Sequence, residues 1–186
     1  MQRSQTIKPG ETYFSGTPDN VLEGESMLGQ EFDYRRDSDF AEYKNRTSKY
    51  RVVRNIAGAS LSGGRFVALS ADGLHIDGYQ YGHGTQFAVL DELVSTVADD
   101  DICLVQLAGV AGIYTKASSP GTVEAGAIIS CTTGSGGTDT AAGRAVGLST
   151  SPGYGRALDG WTNSDTNELV YVELFGMTLP LDDAAV

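Results

Sequence analysis

From Tyr50 to Gly176 the chain is written in short runs of β-favouring residues, each closed by glycine or another turn former. The runs are YRVVRNI (50–56), GRFVALS (64–70), LHIDGY (74–79), QFAVLDE (86–92), DICLVQLAG (101–109), AGIYTKA (111–117), GAIISCT (126–132), RAVGLST (144–150), GRALDG (155–160) and ELVYVELFG (168–176). Several alternate apolar with polar residues at a period of two, which turns one side of a strand to a core and the other to water. SGG, DG, GHG, SPG and TNSDTN separate them. Glycine there reaches positive φ without steric cost, and Asn, Asp and Ser bond back to their own backbone. The window FAVLDELVSTVADDD looks helical but reads better as a strand running into a polar loop that ends at Asp99, Asp100 and Asp101. Strands recurring at intervals of about 8–12 residues predict a mainly β fold, a compact β-sandwich or a small β-barrel.

Residues 1–48 follow no such rhythm. Tyr13, Phe14, Val21, Leu22, Met27, Leu28, Phe32, Tyr34, Phe40 and Tyr43 are scattered among Gly, Pro, Asp and Glu. A segment of that kind cannot close a core of its own, yet it carries too many aromatics for a plain disordered tail. It reads as an extended N-terminal arm (1–48) that anchors on another surface, with a short helix around 38–46, followed by a β-rich body (49–186).

Charge divides the chain differently. The net charge is −11, but residues 35–65 carry Arg35, Arg36, Lys44, Arg46, Lys49, Arg51, Arg54 and Arg65 against Asp37, Asp39 and Glu42, a local +5. Residues 66–186 carry Lys116, Arg144 and Arg156 against 15 acids. A basic stretch on an acidic body suggests one face that docks on something acidic, or a stretch that pairs with the body's own carboxylates. Nucleic acid is a poor partner, because so acidic a body repels phosphate and no recognised nucleic-acid motif is present. No apolar run reaches the length of about 18–20 residues that crosses a bilayer. The first residues, MQRSQTIKPGETYFSG, lack the apolar stretch of a secretory signal, so the expectation is synthesis and folding in the cytoplasm. Cys103 and Cys131 stand alone in apolar runs and read as small buried hydrophobes.

The most glycine-dense stretch, CTTGSGGTDTAAGRAVGLSTS (131–151), invites three readings. A phosphate-binding loop needs a lysine and a following helix, and here a β-like run follows without a lysine. A nucleophile at Ser135 needs a base, and the two histidines, His75 and His83, stand in LHIDGYQYGHG with nothing to position them. Their spacing fits no recognised metal-ligand pattern either. What remains is a loop between two strands. No catalytic residue, no metal ligand and no cofactor is assigned, and the chain is not expected to be an enzyme.

The same region carries a resemblance. Its elements are Gly109 to Gly112 (GVAG), Val123 to Gly126 (VEAG), Ala142 to Leu148 (AGRAVGL) and Val170 to Gly176 (VYVELFG). In that order, over roughly residues 56–176, they resemble the small β-rich capsid decoration (cement, head-stabilising) proteins of tailed bacteriophages. The chain departs from the short members of that family in its long N-terminal part and in the Tyr79–Gly84 insertion. The resemblance implies a structural virion protein that binds the outer surface of a phage capsid. There it would bridge neighbouring copies of the major capsid protein and stabilise the DNA-filled head, commonly as a homotrimer. It would be made in the host cytoplasm and reside on the capsid exterior, with neither nucleic acid nor membrane as partner.

On that reading Tyr13, Phe14, Phe32, Tyr34, Arg35, Arg36 and Arg46 are the candidate capsid-docking residues. Tyr154 and Trp161, in SPGYGRALDGWTNSDTNELVY with Tyr171, are candidates for a subunit interface or for stacking on a ligand. They also support the alternative, a tail- or capsid-associated carbohydrate- or receptor-binding β module.

Overall fold

The computed structural model describes residues 27–35, 47–79, 86–115, 122–131, 143–147, 153–162 and 168–176. The helix expected around 38–46, the glycine-rich loop at 132–142 and the insertion from 80 to 85 lie outside them. The elements in chain order are β1 (Glu31–Arg35), β2 (Thr47–Asn55), β3 (Leu61–Ser62), β4 (Arg65–Leu69), β5 (His75–Tyr79), β6 (Gln86–Leu90) and β7 (Thr96–Val97). They continue with β8 (Ile102–Tyr114), β9 (Thr122–Val123), β10 (Ile128–Cys131), β11 (Ala145–Gly147), β12 (Gly155–Ala157), β13 (Trp161–Thr162) and β14 (Leu169–Leu174). One large sheet takes the order β1-β2-β5-β4-β6-β8-β14-β12-β10-β11, and two small ribbons pair β3 with β7 and β9 with β13. The expectation of a mainly β fold holds. The sheet is mixed, and its pairings run from β2 through β5, β4, β6 and β8 back to β2, with β14, β12, β10 and β11 extending from β8.

The fold turns on β8. The two runs DICLVQLAG and AGIYTKA, read separately above, join here into one strand of 13 residues. Its first part pairs antiparallel with β2, from Arg54↔Ile102 to Lys49↔Ala108, and its second part with β14, from Leu174↔Gly109 to Leu169↔Tyr114. The change of partner falls between Ala108 and Gly109, next to a register shift opposite Lys49 and Tyr50. Such bulges bend a strand and let it pass from one layer to the next. Gly109 has φ +92°, and a Cβ there would lie 2.7 Å from Ser48 Oγ and 3.0 Å from the Thr47 carbonyl oxygen. Only glycine meets both demands.

β8 supplies all three apolar clusters, two from the opposite faces of its first part and one from the part beyond the corner. Cys103, Val105 and Leu107 point into an inner core with Val53, Leu61, Val67, Leu69, Ile76, Ala88, Leu90 and Val97. Ala111 and Ile113 join the second core, with Phe66, Phe87, Val89, Ile129, Tyr154, Trp161, Val172 and Leu174. Ile102 and Leu104 pack with Tyr50 and Val52 on the outer face, where Met27, Leu28, Phe32 and Tyr34 cover them. Strands such as β6 are buried on both sides, Phe87 and Val89 facing one core and Ala88 and Leu90 the other. That explains why QFAVL reads as a continuous apolar run and not as an alternation.

Gly109→Ala is expected to cost more than Gly126→Ala. Both glycines have positive φ, but nothing lies within 4 Å of a Cβ built on Gly126. The second change should cost about 1–2 kcal/mol through backbone strain, and the first at least about 1 kcal/mol more through overpacking. Urea denaturation midpoints measure the difference, and equal losses would mean the close approach at the corner counts for nothing.

Candidate interaction surface

The segment expected to dock on a partner is in part docked on its own chain. Residues 27–30 form a turn held by Gly29 N–H donating to the Val52 carbonyl (2.8 Å) and Gln30 N–H to that of Met27 (2.9 Å). β1 then runs antiparallel to β2, with Glu31 opposite Arg51, Phe32 opposite Tyr50, Asp33 opposite Lys49 and Arg35 opposite Thr47. Phe32 and Tyr34, expected to anchor on another protein, are half-buried against the body, and the Tyr34 ring meets Tyr50 edge-on at 6.3 Å. EFDYR does alternate charged with apolar residues at a period of two, but the signal is five residues long and sits in a segment that otherwise lacks rhythm.

Those charges answer each other. Arg51 donates from Nε (3.1 Å) and from Nη2 to the Glu31 carboxylate, and Lys49 Nζ stands 3.5 Å from the same group. The hydrogen bond from Arg51 holds the Glu31 carboxyl below its ordinary range despite some burial. Two members of the basic stretch are therefore matched within the chain. Tyr13, Phe14, Arg36 and Arg46 lie outside the described residues, and Arg35 is placed only as the last residue of β1.

Tyr154 and Trp161, proposed above for stacking on a ligand or a second subunit, are core residues. Tyr154 is fully buried, 4.3 Å from the Phe87 ring and 5.3 Å from that of Phe66, and Trp161 belongs to the same cluster. Neither offers a platform to a ligand, because an aromatic stacks on sugar only from the surface. Large apolar side chains that do reach the surface were missed: Ile128 and Phe175 beside Gly153, and Leu93 and Ile56 elsewhere. Ile128 and Phe175 sit in strand-like runs, where nothing in a single sequence tells an outward from an inward apolar residue.

β1 and β11 are the end strands of the large sheet among the described residues. End strands carry backbone donors and acceptors that another chain can pair with.

Of the groups considered for catalysis, Ser135 and His83 lie outside the described residues. His75 is the first residue of β5, just after the turn from β4. Its Nδ1 is 3.1 Å from Asp72 Oδ2, and Leu74 N–H donates to Asp72 Oδ1 (2.9 Å). The Ser70 hydroxyl is engaged with that carboxylate and with the His75 backbone, not with the imidazole. The arrangement clasps a turn and activates no hydroxyl. Asp72 is lowered by its bonds from Ser70 and the Leu74 amide. Cys103 and Cys131 are buried in separate cores and are not joined in a disulfide. Among the described residues no group of His, Cys, Asp and Glu is placed to hold a metal ion, and no helix is long and apolar enough to cross a membrane.

No protein-family model and no curated protein matches the chain. Among solved structures it is similar to the head fiber gp8.5 N base of bacteriophage phi29. That likeness is at 14% identity, over 69% of this chain and 96% of that one, with a TM-score of 0.45.

Two expectations follow from titration. The Glu31 carboxyl is lowered, so its contribution is present above the unfolded value near 4.5 and is lost as pH falls through the lower folded value. Hydrogen exchange of the β1 amides should therefore accelerate in acid relative to the core, and Glu31→Gln should remove that pH dependence at a cost of about 0.2–1 kcal/mol. Burial, with a smaller effect from Asp101, pushes the Cys103 thiol up to about 12. The folded chain keeps this proton where the unfolded chain loses it, so stability should fall above about pH 9, by about 1.4 kcal/mol per pH unit at most. Cys103→Ala should flatten that alkaline limb, and an unchanged limb would count against the assignment.

Proposed function

We propose that this chain is a structural protein of a bacteriophage head: a decoration protein on the capsid exterior that bridges neighbouring major capsid subunits, working as a homotrimer. The observation that carries the reading is where the four resembling elements fall in the fold. Each contains a glycine at positive φ: Gly109 at +92°, Gly126 at +86°, Gly143 at +73° and Gly176 at +85°. Gly109 is the corner of β8, Gly126 closes the turn before β10, Gly143 abuts β4 and Gly176 ends β14. The pattern shared with decoration proteins is thus a list of backbone bends, and a resemblance of bends is a resemblance of architecture. That is the kind of likeness expected between proteins whose work is shape and contact.

Such a role needs surfaces for neighbours, and three are at hand. β1, an end strand among the described residues, can accept an added strand. The remaining basic residues of the N-terminal segment can meet acidic groups with charge-assisted bonds. Ile128 and Phe175 offer apolar contact on the other layer. The reading assigns the chain no catalytic step. The carbohydrate-binding alternative loses Tyr154 and Trp161 as stacking faces and keeps only Tyr171 of its three aromatics.

Co-sedimentation with undecorated capsids tests the proposal. Full-length chain should pellet with capsids, with copies clustered around three-fold positions. Deleting residues 1–26, which spares the part packed on β2, should leave a folded body that binds much more weakly. Changing Arg35, Arg36 and Arg46 together to Glu should also weaken binding. That loss should shrink at high salt, since each exposed pair contributes only about 0.2–1 kcal/mol and is screened. Binding of both variants at full strength, or copies on two-fold axes, would sink the docking role or the trimer respectively.

A further inference from the structure

One end of the inner core is closed by a buried guanidinium. Arg65 is the first residue of β4, and it is only 8% exposed. Its guanidinium carbon stands 4.6 Å above the centre of the Tyr79 ring. Nε and Nη1 are buried, and neither has a hydrogen-bond acceptor among the described residues. A guanidinium carries five N–H donors and cannot shed its proton, so it cannot escape this position by neutralising. The ring face offsets part of the lost hydration, but it accepts no conventional hydrogen bond.

A second guanidinium is held nearby. Gly143 presents its carbonyl to the Phe66 amide at 2.7 Å, which pins the chain before β11 against the start of β4. A Cβ on Gly143, at φ +73°, would stand 2.4 Å from the Phe66 carbonyl oxygen and 3.2 Å from Tyr79 Cβ, so the approach depends on glycine. Arg144 follows directly, half-buried, with Nη1 donating to the Thr115 carbonyl at 3.3 Å. Burial, and next the charge of Arg65, lower the pKa of Arg144. Like charges brought together by a required glycine, one with buried idle donors, form the receiving half of an anion site.

Chemistry selects the anion. The body is strongly acidic, with 15 carboxylates in residues 66–186, and its field opposes a multiply charged phosphate far more than a single negative charge. A carboxylate is planar, singly charged and matches the guanidinium fork. We propose that Arg65, above Tyr79 and beside Arg144, is a binding site for a carboxylate. The group can come from a free carboxylic acid or from an Asp or Glu of a second copy of this chain. The inference does not rest on the capsid role.

Sodium acetate, compared with sodium chloride at equal ionic strength, is the probe. At roughly ten times its Kd, acetate should raise the melting temperature of the full chain by about 3–6 °C. The rise should vanish in Arg65→Met, and Arg144→Gln should weaken acetate binding about tenfold. Should Arg65→Met fail to fold, the Arg65 Nε–H resonance of the wild-type chain, followed by NMR during the titration, must shift and saturate. Sedimentation separates the two sources. Acetate that drives an oligomer toward monomer identifies the second copy as donor, whereas stabilisation without a change in mass identifies a free acid. No stabilisation beyond chloride with no saturable Arg65 shift, or an undiminished response in Arg65→Met, would overturn the proposal.

Discussion

A strand that leaves one layer and enters another must bend, and the bend leaves backbone polar groups without ladder partners in the middle of the protein. Gln106 meets that demand at the corner of β8. It is fully buried, and its Nε2 lies within reach of three acceptors: the Val110 carbonyl (2.8 Å), the Ala108 carbonyl (3.2 Å) and Ser48 Oγ (3.1 Å). Two amide hydrogens are shared among the three, and two of the acceptors are carbonyls on either side of Gly109. The other end of the amide is tied as well. Tyr50 Oη sits 3.3 Å from Gln106 Oε1 and 3.1 Å from Asp91 Oδ2, while Asp91 Oδ1 accepts from the Leu93 amide at 2.9 Å. A connected polar chain of this kind can specify one corner geometry, where an apolar residue at 106 would remove the donor that the Ala108 and Val110 carbonyls share.

This polar line joins three parts of the chain far apart in sequence. Tyr50 brings in β2, Gln106 the corner of β8, and Asp91 the turn after β6. That turn lies close to Gly63, where a Cβ would run into the carbonyls of Asp91 and Val94. Tyr50 also carries the outer cluster that Phe32 and Tyr34 cover. The N-terminal segment is therefore coupled through one ring to the corner that sets the two layers, and stripping away residues 27–35 would expose Tyr50, Val52, Ile102 and Leu104 together.

What could be read from the chain alone follows from how far each signal reaches. Runs such as RFVAL and LVYVEL declare themselves, because β-branched and aromatic residues bounded by glycine are a local property. The merging of two runs into β8 could not be read, because Gly109 breaks the apolar pattern while the backbone continues through it at positive φ. The two-residue strands β3, β7, β9 and β13 are too short to carry any period. β1 was hidden for a different reason: its stability comes from Arg51, Lys49, Tyr50 and Val52, residues that become its neighbours only after folding. The same holds for Tyr154 and Trp161. Flanked by glycine, proline and polar residues, they look like surface aromatics, yet the tertiary fold draws both into the second core.

Charge shows the same limit and also what it leaves open. The basic stretch 35–65 could be counted from the sequence, but not divided into charges used within and charges offered outward. Lys49 and Arg51 are spent on Glu31, across one strand pair. Arg65 is carried into the end of the inner core and set over Tyr79. An exposed arginine would find water at no cost, so a buried one with idle donors has to be offset by the packing and ring contact that hold it. The glycine at 143, without which Arg144 could not approach, makes the second charge part of the same design. The chain thus sorts its few cations by depth. Those on the β1–β2 ribbon fasten the N-terminal segment to the body, and Arg65 at the start of β4 keeps two donors for which the described residues supply no acceptor.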